Sequence, residues 1–293
     1  MKITTIGVVG CGPVAQGIAQ NVAHSKLEVI MYDTNENWLR AGVAGIELFL
    51  DNEISRWGLT PGDKKSILRR ITTTTTIQDL RAVQILLEAK GRSFEEKRDI
   101  FKDMEAICTD QTLFMTNTTT ISVTDIQQHL RFPERLIGLH FILPIPKTMI
   151  VELIKGVRTS DAVVQKTKLL METLGKKCIE VYEFPGFVTS RIILPMINTA
   201  SQVLLEGLAS AYDIDDAMHM GYNLSLGPLA LADQIGIDTV LNYLEAIYKN
   251  LGDPNYRPCP LLRKMVREGK LGQKTGQGFF KYDELKRRIQ TTK

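Results

Sequence analysis

Two residues in this chain are placed to move a proton: His140 and Glu152. His140 lies in Leu139-His140-Phe141-Ile142-Leu143-Pro144-Ile145-Pro146, an apolar run that stops at two prolines. Glu152 lies in Val151-Glu152-Leu153, a second apolar run. If the prolines turn the chain and 149–154 runs back beside 135–141, the imidazole and the carboxylate meet. Such a pair suits hydride chemistry at an alcohol, because the imidazole takes the hydroxyl proton as hydride leaves the same carbon. The carboxylate fixes the tautomer and stabilises the imidazolium. Spacing alone does not separate this from a histidine that only satisfies a structural hydrogen bond.

A hydride needs an acceptor, and the N-terminus offers a seat for one. Residues 10–15 read Gly10-Cys11-Gly12-Pro13-Val14-Ala15, a GxGxxA turn. The first glycine permits the tight turn and the second lets the backbone approach a pyrophosphate. The third position needs a small residue where helix meets strand, and Ala serves there. The following helix start presents N–H groups and the positive end of its dipole to phosphates. Asp33 ends the next apolar run at the spacing expected of an acid that accepts hydrogen bonds from the adenosine ribose, which favours NAD over NADP. A lone GxGxxG is a weak signal; a strand before it, a helix after it and an acid in place make it specific. FAD also fits this turn taken alone.

These residues need particular elements to hold them. Residues 3–10 and 27–32 are short apolar runs that read as strands, with a helix at 12–25 between them, which is a βαβ unit. Residues 36–70 read as a helical hairpin interrupted by Gly58 and Pro61. Further strands are expected at 71–76, 83–88, 112–116, 135–141 and 149–154, with a helix at 94–107. After Pro185-Gly186 the apolar spacing turns helical, at 188–207, 211–219, 227–250 and 258–270, and only the tail at 278–282 looks strand-like. The expected architecture is α/β: a Rossmann-type, doubly wound, mostly parallel sheet over 1–184, then an all-helical domain over 185–293.

Bulk properties narrow the class. The chain has 293 residues, 44% hydrophobic and 24% charged, with a formal charge of +3. That balance gives no reason to expect a nucleic-acid partner. No stretch approaches the roughly 20 apolar residues of a membrane span. Cys11, Cys108, Cys178 and Cys259 are scattered, without a CxxC pair, so neither a disulfide framework nor a metal site is expected, and a reducing cytoplasm fits.

Beyond these residues, the chain resembles the L-3-hydroxyacyl-CoA dehydrogenase family along nearly its whole length. The matching stretches are GCGPVAQGIAQ near the start, LLEA at 86–89, TNTTTIS at 116–122, GLHFILPIP at 138–146, VEL at 151–153 and PGFVTSR at 185–191. Later ones are GPLALADQIGID at 227–238, GDPNYRPCPLLRKMV at 252–266 and GQKTGQGFFKY at 272–282. The resemblance implies an NAD domain, a helical C-terminal domain that makes a homodimer, and a small-molecule substrate that is an acyl-CoA thioester. It also implies that His140 and Glu152 are the catalytic pair, that Thr119 and Ser190 hold the reacting oxygen, and that Asn117, Arg92 and Lys97 line the cofactor and CoA side.

Several positions depart from the family pattern. Thr116-Asn117-Thr118-Thr119-Thr120 stands where the family has SNTSS, so Thr119 replaces a serine and adds a methyl. Leu143 replaces the asparagine of HFxNP, and Ser190 that of PGFxxNR. Glu88-Ala89-Lys90-Gly91-Arg92-Ser93 replaces EAxxE, so Arg92 reverses a charge near the nicotinamide end. Lys147 adds a cation between the two dyad residues. Two alternatives follow: a carboxylate-bearing or non-CoA hydroxy substrate held by the new cations, since Arg binds both carboxylate oxygens, or an NAD-binding homologue with little turnover.

Overall fold

The computed structural model describes residues 3–56, 58–91, 93–284 and 286–289. It divides into two compact units, Met1–Glu183 and Phe184–Lys293.

The first unit is built on an eight-stranded sheet. Its strands are β1 (Thr5–Val9), β2 (Glu28–Tyr32), β3 (Ile71–Thr74), β4 (Ile85–Glu88), β5 (Leu113–Asn117), β6 (Leu136–Phe141), β7 (Ile150–Ile154) and β8 (Lys177–Val181). They lie in the order β3-β2-β1-β4-β5-β6-β7-β8. All neighbours are parallel except β6 and β7. The central strands read as continuous apolar runs because helices cover both faces of the sheet. Those helices are α1 (Pro13–His24), α2 (Glu36–Ser55), α3 (Pro61–Leu68), α4 (Phe94–Ile107), α5 (Val123–Gln127) and α6 (Asp161–Thr173). Chain order reverses between β1 and β4. A doubly wound sheet opens its ligand crevice beyond the carboxyl ends of its strands at such a point. Both Gly10 and Glu88-Ala89-Lys90 sit there.

Ends of elements follow local chemistry. Thr60 and Asp63 form a reciprocal capping box that starts α3. Ser93 and Ser160 cap α4 and α6 by accepting from the backbone N–H of Glu96 and Val163. β8, α5 and α6 have no counterpart in the sequence reading. β8 is a half-exposed edge strand carrying Lys177 and Glu180, so its hydrophobic signal is diluted.

The second unit is helical: α7 (Thr189–Leu205), α8 (Ala211–Tyr222), α9 (Pro228–Ile235), α10 (Ile237–Leu251) and α11 (Pro260–Arg267). Its core joins Leu194 and Ile197 of α7 to Ile237, Val240, Leu244 and Ile247 of α10 and Leu262 of α11. The helix expected over 227–250 is two helices, broken at Gly236 with φ 100°. The strand-like tail at 278–282 pairs only through isolated bridges, Gln277 with Lys281 among them. Its backbone is engaged elsewhere: Asp233 of α9 accepts from the amides of Phe279 and Phe280, both at 2.9 Å. Among the described residues no helix is long and apolar enough to cross a membrane.

Candidate active site

The glycine turn leaves β1 with Gly10 at φ 114°, its N–H donating to the Tyr32 carbonyl at 2.9 Å. A Cβ there would lie 3.0 Å from the Ala89 carbonyl, so glycine is required both by conformation and by space. Gly12 is the N-cap of α1, and a Cβ added to it meets nothing within 4 Å. The first bond of the helix runs from Gln16 N–H to the Gly12 carbonyl. The amides of Val14 and Ala15 therefore precede the ladder, while Pro13 has no N–H to orphan. No acid stands in the first turn. Open space before uncommitted amides and a positive dipole end fits a pyrophosphate. Ala15 is fully buried where α1 meets the sheet.

Filling that space is a direct test. Gly12→Val should lower the melting temperature by only a few degrees, the cost of a poorer N-cap, and weaken NADH binding about 100-fold, equivalent to two charged hydrogen bonds. Fluorescence titration of NADH measures it, and wild-type affinity in the variant would remove this turn from the cofactor site.

Asp33 follows β2 and is 2% exposed. Its Oδ1 receives the Lys90 ammonium at 2.6 Å. The buried Cys11 thiol lies beside it. Burial, with the Asp33 charge second, pushes that thiol up to about 12, so it stays protonated and unreactive.

The His140–Glu152 pair is held by strand register. His140 of β6 lies directly opposite Glu152 of β7 in the antiparallel ladder. Its Nδ1 is 2.6 Å from Glu152 Oε2. Glu152 is fully buried and His140 nearly so. The loop between them is fastened by Lys176, whose ammonium donates to the carbonyls of Ile145 at 2.6 Å and Thr148 at 2.7 Å. Burial lowers the pKa of that lysine.

β5 feeds the same corner. The Asn117 side-chain oxygen accepts from the Phe141 amide at 3.2 Å, one residue past His140. Thr119 is 5% exposed. Ser190 is a buried residue of α7 in the second unit. Arg92 lies outside the described residues.

Lys97, expected on the cofactor and CoA side, lies in α4. It is 3% exposed, and its ammonium is bound to Glu88 Oε2 at 2.5 Å and to the Asn117 carbonyl at 2.8 Å. The ammonium thus joins the end of β4 to the end of β5. Glu88 itself is the residue that sequence reasoning passed over. Its carboxylate also accepts from Thr116 Oγ1 at 2.7 Å and from the amides of Lys90 and Gly91 at 2.8 and 2.7 Å. The signal was present, since a lone acid ending an apolar strand is buried only when paired. Lys147 is likewise engaged, with Glu53 at 2.7 Å.

A doubly wound sheet with an open glycine turn before a helix start and a buried acid after β2 is the architecture of a dinucleotide-binding domain. Comparison with known proteins narrows this. A family model for the 3-hydroxyacyl-CoA dehydrogenase NAD binding domain matches residues 5–184, and one for the C-terminal domain matches residues 186–282. A probable 3-hydroxybutyryl-CoA dehydrogenase of Bacillus subtilis is 40% identical, over 97% of this chain and 99% of its own. The crystal structure of (S)-3-hydroxybutyryl-CoA dehydrogenase from Ralstonia eutropha is 42% identical, with a TM-score of 0.84 over 97% of this chain and all of that one. The 3-hydroxyadipyl-CoA dehydrogenase of Escherichia coli is 31% identical over 96% of this chain and 59% of its own. The chain belongs to the 3-hydroxyacyl-CoA dehydrogenase family, and as such is an NAD-dependent oxidoreductase acting on a CH–OH group.

Proposed function

We propose that this protein interconverts a short 3-hydroxyacyl-CoA and its 3-ketoacyl form, with His140 as the proton-transfer residue and Glu152 as its support. The observation that carries this is the 2.6 Å contact between His140 Nδ1 and Glu152 Oε2 across paired strands. An ionised carboxylate only accepts, so Nδ1 carries the proton and Nε2 exchanges protons with the substrate hydroxyl. Bound NAD supplies the hydride acceptor. Gly10, Gly12, Pro13, Val14 and Ala15 seat its pyrophosphate and Asp33 its ribose, with Asn117 holding the strand end beside His140. Thr119 steadies the reacting oxygen. Residues 1–184 form the NAD-binding domain and 185–293 the substrate and dimerisation domain. The names of the relatives support a four-carbon acyl group.

A carboxylate-bearing substrate is less well supported. Of the cations that would recognise it, Lys147 is engaged by Glu53. Exposed Leu208, Met220 and Tyr222 in the helical unit support a homodimer. The four cysteines are free, which supports a reducing cytoplasm.

The test is the loss of NADH absorbance with acetoacetyl-CoA. Steady oxidation, with acetoacetate lacking CoA at least about 100-fold slower, supports the reading, because remote contacts contribute to turnover. Equal rates on both would sink the thioester assignment.

A further inference from the structure

Lys90 is the cation that the dehydrogenase reading leaves without a task. It follows β4 at the point where chain order reverses, and its side chain crosses the end of β1 to reach Asp33. Its Cβ would lie 3.0 Å from a Cβ placed on Gly10. Its ammonium is 2.6 Å from Asp33 Oδ1 and 3.3 Å from Thr34 Oγ1. It also stands 5.5 Å from the centre of the Trp38 ring, an indole that is 54% exposed.

Asp33 is the acid that contacts the ribose hydroxyls and by its charge repels a 2′-phosphate. Here that charge is already paired. The pair is asymmetric: the Asp33 side chain is 3% exposed and the Lys90 side chain 29%, so the cation is the partner that solvent and ligand can reach. An ammonium has three donors. Asp33 and Thr34 take two, and the third has no hydrogen-bonded side chain among the described residues, the Trp38 ring face having its centre 5.5 Å away. A 2′-phosphate arriving at this corner therefore meets a cation with a hydroxyl beside it, backed by a neutralised carboxylate.

We propose that Lys90 makes the ribose corner a seat for a 2′-phosphate, so that the protein binds NADP(H) as well as NAD(H). Lys90 then sets cofactor preference by cancelling the exclusion that Asp33 would otherwise impose. The inference rests on the dinucleotide site of the first unit alone, and it stands or falls independently of the His140–Glu152 assignment.

Direct binding decides it without any substrate. NADPH and NADH are titrated by fluorescence against the wild type, Lys90→Met, which keeps the length and removes the charge, and Lys90→Arg, which keeps the charge. The wild type should bind the two within about tenfold of each other, as one paired charge allows. Lys90→Met should raise the ratio of NADPH to NADH dissociation constants about 10- to 100-fold, the worth of one charged hydrogen bond, while Lys90→Arg holds it near the wild-type value. Added salt should weaken NADPH binding more than NADH binding, because the site is partly exposed. A wild-type preference for NADH above about 1,000-fold, or a ratio that moves less than about threefold in Lys90→Met, overturns the proposal.

Discussion

His140→Ala lowers kcat/KM by about 100- to 10,000-fold, the range of a positioned general acid–base, and leaves NADH binding intact. Glu152→Gln is the informative companion. The amide keeps the volume of a fully buried side chain, so the core is not opened. It removes the negative charge that supports the imidazolium and permits the wrong tautomer. Glu152→Gln should therefore lose a large part of what His140→Ala loses. If the two act as one unit, the double variant is no worse than His140→Ala alone, because residues that work together are far from additive. Steady-state kinetics on the three variants settles it. A Glu152→Gln enzyme with the wild-type rate would reduce the pair to a structural contact.

The second large effect concerns stability and lies in the helical unit. Asp233 is 1% exposed and ties the tail to α9: Oδ1 accepts from Phe279 N–H, and Oδ2 from Phe280 N–H and the Tyr282 hydroxyl at 3.0 Å. Gly278 and Gly272 approach so closely that a Cβ on the former would sit 1.9 Å from Asp233 Oδ1. Asp233→Ala orphans these donors and should cost about 2–5 kcal/mol, a fall in melting temperature of several degrees or more. Burial, the largest influence, pushes the Asp233 carboxyl up to about 6, against the hydrogen bonds that favour its ionised form. The folded state thus holds the proton more tightly than the unfolded state. That contribution to stability is complete below about pH 4 and is lost as pH rises through about 6. Wild type should accordingly gain stability over Asp233→Asn on going from about pH 7.5 to about pH 4.5 in paired thermal melts. A constant gap between the two would show that this carboxyl does not titrate in that window.

Local signals carried most of the fold. The βαβ unit around Gly10–Ala15 was legible because a strand, a glycine turn and a helix follow one another within a single short stretch. The dyad was legible only conditionally: Pro144 and Pro146 allowed a return strand, but the antiparallel pairing of β6 with β7 is a tertiary fact. What the sequence could not show was the partner of each cation. Lys90 answers Asp33, Lys97 answers Glu88 and Lys147 answers Glu53, and each pair joins different elements of the first unit. A lysine read alone shows neither its burial nor its partner, because neither is periodic. The tail at 278–282 misled for a related reason. Its aromatic run has strand character, but Asp233 had already taken its amides.

The ladder between β6 and β7 has a consequence for anyone refolding this protein. His140 faces Glu152 because the two strands pair in one register and no other. A slip of one residue would turn Glu152 to the opposite face while leaving the count of main-chain bonds nearly the same. Such a species would have native far-ultraviolet circular dichroism, an intact glycine turn and undiminished dinucleotide binding, yet on the proposed mechanism it would be inert. Specific activity per bound dinucleotide then becomes a measure of the fraction of molecules whose sheet has closed in register, a quantity that spectroscopy of secondary structure does not report.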